Sequence, residues 1–495
     1  MFGKWLTEIP GAMGPKIVAR RIKGTAAVLL SALLFAPSAP LAGEVSSSFV
    51  QVSKRDARYL ELSSGEAYIP IGLNIVQAHG IEDPDEHMAQ MERWMKRLSD
   101  NGGNYIRVWL SASFWDVEHE HSGVYDESRA KRIDALLALA RKYNIHVKMT
   151  IEHFRYFEGG RGRWAAKPLH HVSRGGPAES IADFFNGEKS RAQFKGKLAW
   201  YARRYGDEPL VYAWELWNEI NAVEGGNYMA WTEVMLGELH RLFPKNLGMQ
   251  SLGSFDRERA RSLYRRMSTM AGNDVAQVHR YLDMGAELPV CSGPVDVLAS
   301  AAVEELRAFE PARPIILAES GAVEPNHTGP YKLYEEDRAG IILHDVLFAP
   351  FFAGAAGARQ CWHWDSYVDR NDLWWQFGRF AEAVRNLDPP SENFEVLKLK
   401  HPRLRVYVLK GKQTLLAWCR DSENTWQTEL AKQKPPETIQ NASLDLTGVL
   451  DSGTIARAHI YDPWENRWTE AGLRGTTISL PPFKRSVIVR ISRKG

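Results

Sequence analysis

From residue 68 onward the chain alternates between two kinds of apolar spacing. Runs that are apolar at most positions occur at 68–74, 105–110, 147–153, 212–219, 247–252, 275–281, 314–319 and 358–365. Between them, apolar residues recur every three or four positions, at 85–98, 129–143, 190–205, 229–242, 257–270, 295–309, 338–352 and 374–387. The first spacing is that of strands buried on both faces, as in a parallel sheet; the second is that of helices burying one face. Eight strand-then-helix units in this order predict an α/β fold, a (β/α)8 or TIM barrel. Ahead of the first unit, 49–52 and 59–62 alternate like the two strands of a hairpin cap. After Asp388-Pro-Pro-Ser the pattern changes to short alternating runs at 404–409, 414–418, 456–461 and 485–491. Turn residues separate them, which predicts a smaller all-β sandwich domain. The expected boundaries are 43–390 for the barrel with its cap and 391–495 for the sandwich.

Residues 1–42 follow another pattern. Lys16, Arg20, Arg21 and Lys23 precede an apolar run at 25–35, followed by small residues and prolines up to Ala42. The run is too short to span a bilayer, so it reads as an export signal cut near Ala39 or Ala42, with no membrane anchor after its removal. A secreted or periplasmic location follows from that reading.

Charge narrows the partners. Sixty-two Lys and Arg against 60 Asp and Glu leave no electrostatic case for nucleic acid. Cys291, Cys361 and Cys419 are odd in number and lack metal-ligand spacing, so they read as buried thiols. His119-Glu-His121 reads as a solvated loop, and neither a metal nor another cofactor is expected. Seventeen tryptophans exceed what an aliphatic core needs, and flat rings on a surface stack on the apolar faces of sugars. Trp109, Trp115, Trp164, Trp362, Trp364 and Trp374 are candidates for that role, whereas Trp94 and Trp231 sit at helical spacing and read as core.

Two of the strand-like runs end on glutamates. Asn218-Glu219 closes the fourth and Glu319 the seventh, which places both at the C-terminal mouth of a barrel. A glutamate set among Trp214, Trp217 and loop aromatics has its ionised form disfavoured, so Glu219 is suited to donate a proton. Asn218 beside it could hydrogen-bond a hydroxyl of the reacting ring. Glu319, followed by the small Ser320-Gly321-Ala322, has room for a sugar ring, and Arg107 and Tyr281 could hold its charge. Asp183, Asp337, Asp345 and Asp365 are carboxylates near possible site loops.

Taken together, these motifs resemble clan A glycoside hydrolases, most closely glycoside hydrolase family 5. The resemblance rests on Arg107 in Arg-Val-Trp, His153 in Ile-Glu-His, Asn218-Glu219, His279 and Tyr281 in His-Arg-Tyr, Glu319, and Trp362 or Trp364 in Cys-Trp-His-Trp. It covers about residues 68–388 and implies a retaining hydrolase of a β-linked, mannan- or glucan-like polysaccharide or oligosaccharide. Glu319 would be the nucleophile and Glu219 the acid/base, with Tyr281 hydrogen-bonded to Glu319 and Arg107 helping to keep it ionised. His153 and His279 would bind hydroxyls or orient neighbours. The alternatives are a non-catalytic carbohydrate-binding barrel and an exo-acting β-glycosidase of another clan A family, galactosidase- or xylosidase-like. A polar insertion at 158–179, which contains Trp164 and His170-His171, matches no part of the family pattern.

Overall fold

The computed structural model describes residues 48–153, 169–223, 225–358, 360–450 and 455–493. The expected export signal, Trp164 and much of the 158–179 insertion lie outside the described residues. Among the described residues, no helix is long and apolar enough to cross a membrane.

The cap is a three-stranded antiparallel sheet of Val50–Val52, Leu60–Leu62 and Ala67–Tyr68. Its third strand comes from the start of the run expected at 68–74. Pro70 has no N–H and a fixed φ, so the chain leaves one sheet before it and enters another after it.

Five parallel strands follow in chain order: β1 (Gly72–Asn74), β2 (Tyr105–Trp109), β3 (His146–Glu152), β4 (Val211–Trp217) and β5 (Leu247–Met249). Two more, β6 (Ala276–His279) and β7 (Ile315–Glu319), pair with each other in parallel. Nearly every residue of all seven is buried on both faces, which is why the runs read as continuous apolar stretches. Backbone hydrogen bonds link the two groups, from Asp274 N to Gly248 O at 2.9 Å and from Phe255 N, past the end of β5, to His279 O at 2.8 Å. On the other side, Gln360 N donates to Leu317 O, Trp362 N to Ser320 O, and Asn74 N to Cys361 O at 3.0 Å. The strand expected at 358–365 is thus reduced to single bridges from Cys361 to Leu73 and Ser320. Trp364 N already bonds to Trp362 O and the chain winds into a π-helical turn, Trp364–Asp369, so the alternation of Cys-Trp-His-Trp marks a bend, not an extended run.

Helices cover the strands, and their starts follow from local chemistry. In the helix Pro84–Asp100, the Asp83 side chain accepts from Asp85 N and Glu86 N, proline occupies the first turn, and Met91, Trp94, Met95 and Leu98 form the buried stripe. The helix Ile341–Phe352 is buried on all sides. Such a helix needs cover on both faces, and the C-terminal region supplies the second.

That region holds a six-stranded antiparallel sheet, in the spatial order Glu395–Leu399, Leu404–Lys410, Thr414–Asp421, Ser486–Arg493, Ile455–Asp462, Arg467–Glu470. A three-stranded sheet of Ser443–Asp445, Thr477–Ser479 and Leu473–Arg474 accompanies it. Strand alternation splits the large sheet in two. Val406, Val408, Ala417, Val487 and Val489 join Leu444 and Ile478 in one apolar cluster, whereas Tyr407, Trp418, Tyr461 and Ile488 belong to the core shared with the helices. Ion pairs cross the shared face, among them Arg420 Nε to Asp345 at 2.7 Å, Arg405 Nε to Asp296 at 2.5 Å and Lys398 Nζ to Glu304 at 2.5 Å.

Candidate active site

The strands β2, β3, β4 and β7 place charged side chains inside an otherwise apolar barrel-like core. Arg107 on β2 is fully buried and acts as the hub. Its Nε and Nη2 donate to Glu215 Oε2 at 2.8 and 2.6 Å, and its Nη2 also donates to Asn218 Oδ1 at 2.7 Å. Its Nη1 donates to Glu319 Oε1, and to Asn74 Oδ1 at 3.2 Å. Glu215 and Lys148 were not singled out in the sequence. Thr150 Oγ1 donates to Glu215 Oε2 at 2.6 Å, and Lys148 Nζ lies 3.3 Å from Glu215 Oε1 and donates to Gln277. The Arg107 and Lys148 charges outweigh burial and hold the Glu215 carboxyl well below the usual carboxylate range. Burial pulls Lys148 down to about 7. The sequence signal was there: a charge inside each of two apolar runs, in Val-Lys-Met and Trp-Glu-Leu.

At the C-terminal ends of β4 and β7 the two glutamates meet. Glu219 has left-handed backbone angles, φ 49° and ψ 52°, a conformation that costs a non-glycine residue about 1–2 kcal/mol. Its N–H donates to Ser251 Oγ at 3.1 Å, which fixes the turn just past the strand. The Glu219 Oε1 lies 2.8 Å from His279 Nδ1, and the same nitrogen is 3.5 Å from Glu319 Oε2. Tyr281 donates its hydroxyl to Glu319 Oε2 at 2.8 Å. One carboxylate oxygen of each glutamate falls within 4.8 Å of the other.

Their surroundings differ in charge. Burial, and then the charge of Glu319, push Glu219 well above the usual carboxylate range. Burial raises Glu319 too, but the Arg107 charge and the hydrogen bonds from Arg107 and Tyr281 oppose it. Shared between the two, a proton resides on Glu219 and the negative charge on Glu319. Such a pair can deliver a proton and a nucleophilic carboxylate to neighbouring atoms of one substrate.

The two carboxyls open into a cavity of about 910 Å³. Trp109, Asn218, Tyr281, Trp362 and Trp364 line it, together with His79, Tyr228, Asp256, Arg257, Arg259 and Asp365. Trp362 is half-buried and stands perpendicular to Trp364, which is only 1 % exposed, so Trp362 presents the larger face. Because Asn218 Oδ1 is taken by Arg107, its NH2 is the group left for the cavity.

Other expected residues sit elsewhere. Trp115 is core: it is fully buried, its Nε1 donates to Val76 O at 2.7 Å, and it does not line the cavity. Trp374 is buried as well and bonds Asp369. His153 is not among the lining residues; it bonds Ser111 Oγ at 2.5 Å and stacks against Trp109, with ring centroids 5.2 Å apart. Asp337 caps the helix Ile341–Phe352 through Ile341 N and Ile342 N, Asp345 pairs with Arg420, and Asp183 accepts from Glu179 N. His119 pairs with Asp126 at 3.0 Å.

Among the described residues, two groups of acids and histidine bring donor atoms within 4.8 Å of one another, Glu219/His279/Glu319 and Glu118/Glu152/His170. Each already touches a side-chain cation. Arg107 bonds Glu319, while Lys197 bonds Glu152 and lies 2.9 Å from Glu118 Oε2, so a metal ion at either place would meet a like charge.

No family model matches the chain. Two rice (Oryza sativa subsp. japonica) proteins named mannan endo-1,4-β-mannosidase are similar to part of it. Number 3 is 30 % identical over 161 residues, which is 30 % of this chain and 33 % of that one. Number 4 is 29 % identical over 155 residues, 28 % of this chain and 32 % of that one. The chain thus spans about a third of the length of these curated relatives. A solved structure described as a glycoside hydrolase aligns with a TM-score of 0.61 at 13 % identity, covering 90 % of this chain and 97 % of that one. That likeness is one of fold, and it reaches across both the barrel-like part and the C-terminal sheets.

Proposed function

We propose that the protein is a retaining β-glycoside hydrolase that cleaves a β-linked, mannan- or glucan-like polysaccharide or oligosaccharide. The observation that carries this reading is the pair of glutamates with carboxylate oxygens within 4.8 Å, of which Glu219 is raised well above the carboxylate range by burial and by the Glu319 charge, while Arg107 and Tyr281 oppose the rise at Glu319. Retention needs carboxyls about 5 Å apart, whereas inversion needs the wider gap that admits a water between carboxylate and sugar. Glu319, kept ionised by Arg107 and Tyr281, attacks the anomeric carbon. Glu219 gives its proton to the departing glycosidic oxygen, and a glycosyl-enzyme ester on Glu319 results. Once its proton is gone, Glu219 takes one from the incoming water, which cleaves the ester and restores both carboxyls. His279, in contact with both, orients the pair, while Asn218 and the ring faces of Trp109, Trp362 and Trp364 bind the sugar.

The hydrogen bonds that link β5 to β6, and β7 through residues 360–362 to β1, support a closed (β/α)8 barrel as the scaffold. The two C-terminal sheets and their common apolar cluster support a sandwich domain at 391–495. The pattern of residues 1–42 supports export to the periplasm or the medium. Similarity to the rice proteins makes mannan the first substrate to try.

Reducing-sugar release from mannan, glucan, xylan and galactan, with Glu319→Ala as control, tests the activity. NMR of the first-formed anomer tests the mechanism. Turnover that Glu319→Ala abolishes, with a β product formed first, is expected. Inverted product overturns the mechanism, and no turnover on any glycan leaves the carbohydrate-binding alternative.

A further inference from the structure

One guanidinium of the cavity wall is left over when its charged side chains are paired. Among the carboxylates that line it, Glu319 pairs with Arg107 and Asp256 with Arg257 at 2.9 Å, whereas Glu219 and Asp365 meet imidazoles, His279 at 2.8 Å and His79 at 3.1 Å. Arg259 also lines the cavity, is exposed, and has no hydrogen-bond or ion-pair partner among the described residues. It belongs to the most basic stretch of this wall, residues 257–266, with five arginines and one acid. That acid, Glu258, is spent on Arg261, which bonds both of its oxygens. Arg265 lies over the Phe309 ring at 5.2 Å. The guanidinium left to meet a ligand on this wall is therefore that of Arg259, with the Asp256-paired Arg257 beside it.

A neutral sugar can hydrogen-bond a guanidinium but does not discharge it. A carboxylate or sulfate does both, because the planar fork of N–H donors matches two oxygens of either anion. We propose that this wall is a subsite for an acidic substituent, a uronate carboxylate or a sulfate ester, carried on the β-linked glycan. The proposal rests on the hydrolase reading above and adds to it the charge class of the substrate.

The full-length chain, wild type and Arg259→Gln, is tested on three β-mannan oligosaccharides of equal length: unsubstituted, uronate-bearing and sulfated. Both kcat/KM and the binding constant from calorimetry are measured at low and high salt. Expected is an approximately tenfold preference of the wild type for at least one acidic ligand, the size of one charge-assisted hydrogen bond. The preference shrinks at high salt, as a partly exposed ion pair must. Arg259→Gln lowers the value for the acidic ligand about tenfold more than for the neutral one. The two acidic arms separate uronate from sulfate. Equal binding of acidic and neutral ligands by the wild type overturns the proposal, as does an equal effect of Arg259→Gln on both. If acidic ligands bind preferentially but nothing turns over, the subsite stands and the hydrolase reading falls.

Discussion

Removing one oxygen atom tests the assignment of charge between the two glutamates. Tyr281 is 4 % exposed, and its hydroxyl lies 2.8 Å from Glu319 Oε2. Its ring has an edge-on contact with His327 at 5.0 Å that does not depend on the hydroxyl, so Tyr281→Phe keeps the ring in place. A hydrogen bond to a charged, buried carboxylate contributes about 1.5–3 kcal/mol. It is given to the ionised form only, and since one pKa unit corresponds to about 1.4 kcal/mol, its loss raises the Glu319 pKa by about 1–2 units. The nucleophile must be ionised to attack. The acidic limb of the kcat/KM–pH profile therefore moves upward by about 1–2 units, while the basic limb, which reports loss of the Glu219 proton, moves less. The assay is initial-rate hydrolysis of mannan or an aryl β-mannoside across pH, with a melting curve at each pH to exclude unfolding. A fall in rate with the acidic limb in place, or displaced downward, would refute the idea that Tyr281 sustains the charge of Glu319.

Three further tests probe other parts of the same architecture. Glu215 disfavours ionisation of both Glu219 and Glu319, so Glu215→Gln should slide the whole pH–activity profile to lower pH and lower the melting temperature by breaking a buried pair with Arg107; an unmoved profile would reduce Glu215 to scaffolding. Although burial acts the other way, Lys197 depresses Glu118 from the ordinary 4.5 to about 2, so the stabilisation, on the order of 3 kcal/mol, is complete above pH about 4.5 and lost as pH falls through about 2. Urea titrations of Glu118→Gln should then show a flatter acid loss than the wild type, and equal slopes would count against the pair. A chain ending at residue 390 strips the cover from the helix Ile341–Phe352 and leaves Asp345 and Asp296 without Arg420 and Arg405. It should be insoluble or inactive, and a soluble, fully active fragment would show that the C-terminal sheets are dispensable.

How much of this was legible in the sequence depended on whether a feature is local. Strand and helix spacing is local, and seven of the eight expected parallel strands appear within a few residues of their predicted positions. The eighth fails because alternation at 361–365 is compatible with a bend as well as a strand, and Asp365, accepting from Ser366 N at 2.6 Å, tips it to the bend. Trp109 and Trp115 are six positions apart and chemically alike. One ends a strand at the mouth and lines the cavity, while the other falls in the following loop and finds Val76 O deep in the core. Nothing in the residue type separates them; only the path of the loop does.

The interior charges make the same point in the opposite sense. Lys148 and Glu215 each break an apolar run, and an isolated charge in a strand buried on both faces cannot persist without a partner. Sequence alone could have flagged both as paired, because their opposite signs leave few other solutions. It could not have supplied Arg107 as the third member, since that requires β2, β3 and β4 to lie side by side in register, with Arg107 beside Lys148 and Thr150 beside Glu215. Once that register is set, one guanidinium must serve Glu215 and Glu319 together. The charge available to the proposed nucleophile is then governed by a residue buried below it in the barrel-like core, out of reach of any substrate.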